Sequence, residues 1–365
     1  MGVKNAWKFI KKSNSPFTVL SSLHDIQQYG TTIYVDILGT FNEIFVKHFS
    51  PYEKGFQNDR ESCLNFLKVL SLYLDKNRCI LYLDGFDTPL EKCINKSTVE
   101  YRKEMNKRKV TNLIKKVEST DNSIHFIKYG QTKKIEWLLK KTVTVTNEMK
   151  QCFLQVSCEQ GWDTVMAPGS AVMSIARAAN GRTVVLSNNS DIIFHTGVVS
   201  VIKATKGKFK LYNISDILYT FNFSSAALTA LAIISGNDHD SHISGFDIQR
   251  NYKWLIESKS YNLELNGAFT KPKDYVDEYI NYLKYIGVLQ PFTDYFLDSI
   301  MIFVLLFENL KDTDGGVEHD EEYNEFEKTL KVWRSQNKTK SLKQYVFSKK
   351  VVKSTISLPL ERRGQ

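Results

Sequence analysis

The sequence has no long hydrophobic run and few cysteines. Its longest uninterrupted apolar stretch, residues 300–307, is far shorter than the ~20 residues that a membrane helix needs. Its five cysteines are an odd number without C-x-x-C spacing, which is typical of a reducing compartment rather than of a disulfide framework. Residues 1–12 hold four lysines and no apolar core, so we expect no signal peptide. These absences predict an intracellular protein, nuclear or cytoplasmic, without a membrane partner.

The composition is that of an ordinary globular protein with an excess of positive charge. The 365 residues are 42% hydrophobic and 24% charged, which suits one large α/β domain or two smaller ones. The net charge of +9 and the isoelectric point near 9.0 favour a polyanionic partner, nucleic acid first. A lysine-rich solvated surface without such a partner is the alternative reading of the charge alone.

Residues 167–191 are the stretch around which the chain is organised. Residues 170–179 are rich in small and apolar helix formers, and Thr183–Leu186 is a β-branched run short enough for a buried parallel strand. Polar residues 187–191 follow that strand directly. Ligands and chemistry collect at the carboxyl ends of strands in α/β sheets, so these polar residues are candidate functional residues.

Two earlier strand patterns also lie next to an acidic residue. Residues 33–37 form a buried run that contains Asp36, and Cys79–Leu83 is followed by Asp84. A single such aspartate is often a helix N-cap, but two in equivalent places suggest a site. The pattern predicts an α/β fold with a mostly parallel sheet flanked by helices, and it predicts that Asp36, Asp84 and Asp191 meet at one sheet edge.

Residues 88–150 form a strongly basic segment. A helix is expected over residues 99–117, and it is polar almost all round, so it has too little apolar surface to belong to the core. Such a helix is either a solvated arm or a surface that contacts phosphates. The basic candidates for nucleic-acid binding are Lys92, Arg102, Lys103, Lys107 and Arg108.

The second half of the chain is mostly helical. Helices are expected over residues 224–234, with Ser224 as N-cap, and over residues 248–256. The turn between them contains Asp238 and Gly245, and exposed backbone amides in such a turn can hold a phosphate.

The order of these motifs resembles that of the flap endonuclease/XPG family of structure-specific nucleases. MGVKNAW resembles the family's amino-terminal start, TTIYVDILGTF its first aspartate strand, and LYLDGFDTPLEK its second. DTVMAPGSAV, VVLSNNSDIIFHTG and ISGNDHDSHISGF resemble the three motifs that follow. The resemblance implies a PIN-like nuclease domain at 1–257, with a basic helical arch or gateway at 88–150 and a helix-two-turn-helix at 224–257. A helical region, 258–334, and a basic tail, 335–365, complete the expected domains.

The resemblance also implies a two-metal phosphodiesterase centre, and three of its seven carboxylates are missing here. Family members hold two Mg²⁺ or Mn²⁺ ions with clustered carboxylates, which activate a water and stabilise the leaving oxygen. The matching acids are Asp36, Asp84, Asp191 and Asp238. The positions where an acid is replaced are Ser170, Val172 and Asn189. We therefore expect Mg²⁺ or Mn²⁺ to bind weakly or not at all.

Three functions remain open at this point. The first is a catalytically impaired pseudo-nuclease that binds flap DNA, branched DNA or RNA as a binding or scaffold factor. The second is an active, metal-dependent 5′ flap endonuclease or exonuclease. The third is a protein-interaction module that resembles the inactive XPG-like translational regulators of fungi. The basic arch segment favours nucleic-acid binding over the third.

The tail holds a weaker motif. TKSLKQYVF resembles a sliding-clamp binding box, with Leu342, Tyr345 and Val346 in the apolar and aromatic places. A stray apolar patch in a basic tail is the alternative.

Overall fold

The computed structural model describes most of the first 286 residues. The described residues are 3, 5–27, 30–50, 56–85, 96–118, 134–135, 138–139, 143–205, 208–236, 246–260 and 269–286.

Among the described residues, a seven-stranded, mostly parallel sheet forms the centre of the fold. Its spatial order is β1-β7-β6-β5-β2-β3-β4; strands β6, β5, β2, β3 and β4 are parallel, and β7 pairs antiparallel with both β1 and β6. The strands are β1 Thr18–Leu20, β2 Thr32–Asp36, β3 Cys79–Leu83, β4 Asp163–Met166, β5 Thr183–Leu186, β6 Ser200–Thr205 and β7 Lys208–Asn213. The predicted α/β class and mostly parallel sheet are confirmed.

Eleven α-helices among the described residues flank this sheet. They are α1 Ala6–Lys12, α2 His24–Gln27, α3 Ile37–His48, α4 Asp59–Leu70, α5 Lys96–Glu118, α6 Asn147–Glu159, α7 Ala171–Ala178, α8 Ile214–Phe221, α9 Ser225–Ile234, α10 Ile248–Ser260 and α11 Pro272–Tyr285. The predicted N-cap of α9 is confirmed, because the Ser224 hydroxyl accepts the Ala227 N–H at 3.1 Å.

Apolar side chains cover both faces of the sheet. Alternate residues of each central strand belong to different hydrophobic clusters: Ile33 and Val35 pack with α3, α4 and α6, whereas Tyr34 packs with α1 and α7 to α11. Val185 and Leu186 divide in the same way. Burial on both faces explains why β2, β3 and β5 are continuous apolar runs rather than alternating ones.

Several element boundaries differ from the sequence-based expectations. The strand expected over residues 33–37 ends at Asp36, because Ile37 already begins α3. The helices expected over residues 99–117 and 248–256 are longer, at Lys96–Glu118 and Ile248–Ser260. After Asp191 the chain forms the β6–β7 hairpin. Strands β1 and β4 were not expected, since both are short and largely exposed or half-buried.

No single described helix is both long and apolar enough to cross a membrane. Helices α8 and α9 would reach that length and hydropathy only as a pair bent by 81°, and both contribute buried residues to the core.

Candidate functional site

Parallel pairing places the carboxyl ends of β2, β3 and β5 at one edge of the sheet. Asp36, the last residue of β2, pairs with Tyr82 of β3, and its neighbour Val35 pairs with Leu186 of β5. Asp84 therefore follows β3 beside Asp36, and Ser187 follows β5 on the other side.

Asp36 is buried, with 2% of its surface exposed, and it is the N-cap of α3. One carboxylate oxygen accepts the Gly39 N–H at 2.8 Å, and the other accepts the Ser187 hydroxyl at 2.6 Å. The Ser187 oxygen in turn accepts the Asn189 N–H at 3.0 Å, which leaves its proton directed at Asp36. A Cβ at position 39 would collide with the carboxylate, so the close approach requires glycine.

Burial, and after it the negative charge of Asp84, raise the pKa of Asp36 from its ordinary 3.8 to about 6. The hydrogen bonds from Ser187 and Gly39 lower this pKa without compensating for the other two effects. Asp36 and Asp84 are thus close enough to repel each other.

Asp84 holds the first turn of α7. Its Oδ1 accepts the Ala171 N–H at 2.8 Å. Asp84, which directly follows β3, thus caps the amino end of α7 in place of a residue from the helix's own first turn. A Cβ at Gly85 would collide with the Ala167 carbonyl, so this crossing also requires glycine. The buried Lys150 ammonium of α6 donates to the Gly85 carbonyl at 2.7 Å.

At three positions where the resemblance implies an acid, the sequence has another residue, and the structure shows what each of these residues contacts. Val172 is 5% exposed and packs in the hydrophobic cluster with α1 and α8 to α11. The Asn189 side chain accepts the Asp191 N–H at 3.1 Å and so caps the 3-10 turn Ser190–Phe194. Ser170 is the N-cap residue of α7, but its side chain makes no capping hydrogen bond; Asp84 supplies one instead.

Asp191 lies in that 3-10 turn and is buried, with 6% of its surface exposed. Among the described residues, no group of three His, Cys, Asp or Glu side chains is arranged to hold a metal ion. Asp238, the fourth expected acid, lies outside the described residues.

Neither a protein-family model nor a curated protein sequence matches the chain, but several solved structures do. The catalytic core of Rad2 in complex with DNA substrate aligns at 15% identity over 86% of this chain and 87% of that chain, with a TM-score of 0.49. Flap endonuclease-1 from Methanococcus jannaschii aligns at 19% identity over 83% and 84%, with a TM-score of 0.43. The T5 D15 protein co-crystallised with metal ions aligns at 12% identity over 77% and 99%, with a TM-score of 0.32.

The likeness is one of fold. At these identities and TM-scores, the likeness supports no inference about the chemistry of this chain.

The expected nucleic-acid-binding residues are only partly described. Lys107 and Arg108 are exposed on α5, where Arg108 contacts Glu104 one turn away at 3.4 Å. Arg102 and Lys103 lie on the same helix, but their side chains are outside the described residues. The remaining expected binding residues, also outside the described residues, are Lys92, Gly245 and the clamp residues Leu342, Tyr345 and Val346. The domain boundaries remain predictions.

Of the residues that join this edge together, sequence reasoning included Asn188 among its candidates but missed Trp7 and Thr40. The Trp7 indole N–H donates to the Asn188 carbonyl at 2.9 Å, and the Asn188 side chain accepts the Ala204 N–H at 2.9 Å. The Thr40 hydroxyl donates to the Leu186 carbonyl at 3.0 Å. The only sequence signal for these contacts is that the polar residues 187–189 directly follow a buried strand.

Proposed function

We propose that this chain is a catalytically impaired, flap endonuclease/XPG-like protein that binds nucleic acid as a binding or scaffold factor. The observation that carries the proposal is the state of Asp36. Its two oxygens accept hydrogen bonds from Gly39 and Ser187 inside the protein, so the carboxylate acts as a helix cap. The replaced acid positions support the same conclusion, because Val172 is part of the core.

Electrostatics explains why this edge is poorly suited to two divalent ions. Two such ions carry four positive charges and repel each other, and seven acids would neutralise that charge where four would barely balance it. The retained pair, Asp36 and Asp84, is a hard oxygen donor set that would bind one Mg²⁺ or Mn²⁺ weakly. Val172 offers no oxygen to a second ion.

Basic charge on a surface helix supports the nucleic-acid part of the proposal. Helix α5 exposes Lys107, Arg108, Lys109 and Lys115. A helix that is polar almost all round gains little stability from packing against the core. Cations of this density attract phosphates through counterion release, which makes binding depend on salt.

The experiment is equilibrium binding of 5′-flap DNA and of structured RNA at a series of salt concentrations. We expect binding whose affinity falls steeply as salt increases, with no requirement for a divalent ion. An absence of binding to both probes at low salt would reject the proposal and favour the protein-interaction alternative.

An active nuclease is the second candidate, and one observation favours it. Asp36 and Asp84 remain close enough for the charge of one to raise the pKa of the other, as carboxylates that share a metal ion do. Metal-dependent cleavage that is lost in Asp84→Ala would establish this alternative.

A further inference from the structure

Two lysines face each other directly across the β6–β7 hairpin. Lys203 of β6 and Lys210 of β7 are partners in the antiparallel register, and Lys11 at the end of α1 is close enough to act electrostatically on Lys203. Like charges directly opposite on neighbouring strands destabilise a sheet. An anionic ligand bound at the two ammonium groups would relieve this repulsion.

Each of the two lysines lies over an aromatic ring. The Lys203 ammonium is 4.3 Å from the Trp7 ring centroid, and the Lys210 ammonium is 3.9 Å from the Phe17 ring centroid. Tyr212 contacts both rings, at centroid distances of 5.4 Å to Trp7 and 5.5 Å to Phe17. We call this group the basic–aromatic cluster; its members are Trp7, Lys11, Phe17, Lys203, Lys210 and Tyr212.

The cluster adjoins the carboxyl edge of the sheet. The Trp7 indole and the Ala204 amide both hydrogen-bond to Asn188, two residues after the end of β5. The Ser187 N–H donates to the Ile202 carbonyl at 3.1 Å, so the neighbour of Lys203 in β6 contacts the residue that hydrogen-bonds to Asp36. A ligand that crosses this edge would therefore meet the cluster next.

We propose that the basic–aromatic cluster binds single-stranded nucleic acid. This inference rests on the proposed function, since it assigns a site and a form of ligand to a chain that binds nucleic acid. Lysines neutralise backbone phosphates, and aromatic rings stack with bases whatever their sequence. Phe17 is 41% exposed, so the part of its ring that Lys210 and Tyr212 leave uncovered is accessible to a base.

The combination of rings and cations favours a single strand over a duplex. Bases in a duplex have their faces covered by their neighbours, and only unpaired bases can stack on a protein ring. A duplex would therefore use the lysines alone, whereas a single strand would use lysines and rings together.

The titration of Lys203 supports this ligand. Partial burial, Lys210 and Lys11 lower the pKa of Lys203 to about 8. The charged groups that act on it are thus Lys210 from β7 and Lys11 from α1, and the end of β5 presents the neutral Asn188. A bound phosphate would raise the pKa again, so binding takes up a proton and weakens as the pH rises through about 8.

The test compares oligo(dT) of about 20 nucleotides with a blunt duplex of the same length. The variants are Lys203→Met/Lys210→Met and, separately, Phe17→Leu. The control is Lys47→Met/Lys68→Met, which removes the same charge from exposed positions on α3 and α4 in the other helical layer. We expect the double variant to bind oligo(dT) at least about tenfold more weakly, Phe17→Leu to weaken oligo(dT) but not duplex binding, and the control to resemble the parent.

The outcomes separate this inference from the function on which it rests. If the parent binds duplex or flap DNA while the cluster variants bind oligo(dT) like the parent, the inference is wrong and the proposed function stands. If the parent binds no nucleic acid, both are wrong. Removing the facing cations relieves their repulsion but also removes both cation–π contacts, so the folding of each variant is checked by thermal unfolding. Should the double variant fail to fold, Phe17→Leu alone decides.

Discussion

The Ser187 hydroxyl donates a 2.6 Å hydrogen bond to the carboxylate of Asp36, although 151 residues separate them in the chain. Ser187 is oriented for this by the Asn189 N–H, and the other oxygen of Asp36 caps α3 through Gly39. The strongest candidate for a metal ligand at this edge is therefore built into the fold as a hydrogen-bond acceptor, and this contact has consequences for stability, metal binding and catalysis.

Asp36→Asn should stabilise the protein at pH 8. The folded pKa of Asp36 is raised to about 6 from an ordinary value of 3.8. Protonated Asp36 therefore contributes its full share to the free energy of unfolding below about pH 4, and this contribution is lost as the pH rises through 6. An asparagine can still accept from Gly39 and can donate to Ser187, without the charge. We expect a gain of about 1–3 kcal/mol at pH 8 and little at pH 4, measured by urea unfolding. A variant that is less stable than the parent at pH 8 would contradict the assigned repulsion.

Restoring two of the missing acids should increase metal affinity. Ser170→Glu/Asn189→Asp adds two negative charges near Asp84 and Asp191, the first at the amino end of α7. We expect Mn²⁺ or Ca²⁺ binding by calorimetry to be at least about tenfold tighter than in the parent. The control is Ser170→Gln with Asn189 left unchanged, since glutamine and asparagine have the shapes of glutamate and aspartate without the charge. Equal affinity in the three proteins would show that these positions do not face an ion.

Val172→Glu should behave differently from those two changes. Val172 is 5% exposed among apolar side chains, so a glutamate there would bury an unpaired charge. We expect a loss of about 2–5 kcal/mol in the free energy of unfolding, with Val172→Ile near the parent value. A fully stable Val172→Glu variant would show that this position has access to solvent or to an ion.

Charge reversal on α5 should weaken nucleic-acid binding. Lys103, Lys107 and Arg108 lie on a helix with little core-facing surface, and replacing all three with glutamate removes cations that would otherwise neutralise phosphates. We expect a shallower dependence of log affinity on log salt, by about 2–3 for B-DNA. A control with Lys47 and Lys68 changed to glutamate should keep the parent slope. An unchanged slope in the triple variant would show that α5 is not the contact surface.

Periodicity and burial made the central strands predictable, but not the contacts between them. Strands β3 and β5 were predicted to the residue and β2 to within one, because residues buried on both faces form continuous apolar runs. Strand β1 has only three residues with an exposed pattern, so no periodic signal could reveal it. The Asp36–Ser187 bond and the stacking of Lys203 on Trp7 depend on tertiary pairing that local patterns do not encode.

Cleavage of a 5′-flap DNA in Mg²⁺ tests the central claim most directly, with the parent and Asp84→Ala assayed side by side. Asp36 and Asp84 at the sheet edge cap helices α3 and α7, and the positions expected to supply further acids hold Ser170, Val172 and Asn189. We therefore predict that neither protein cuts the flap above the rate without protein, while the parent still binds it. Cutting by the parent that Asp84→Ala abolishes would contradict this account and establish a nuclease with an unusual metal site.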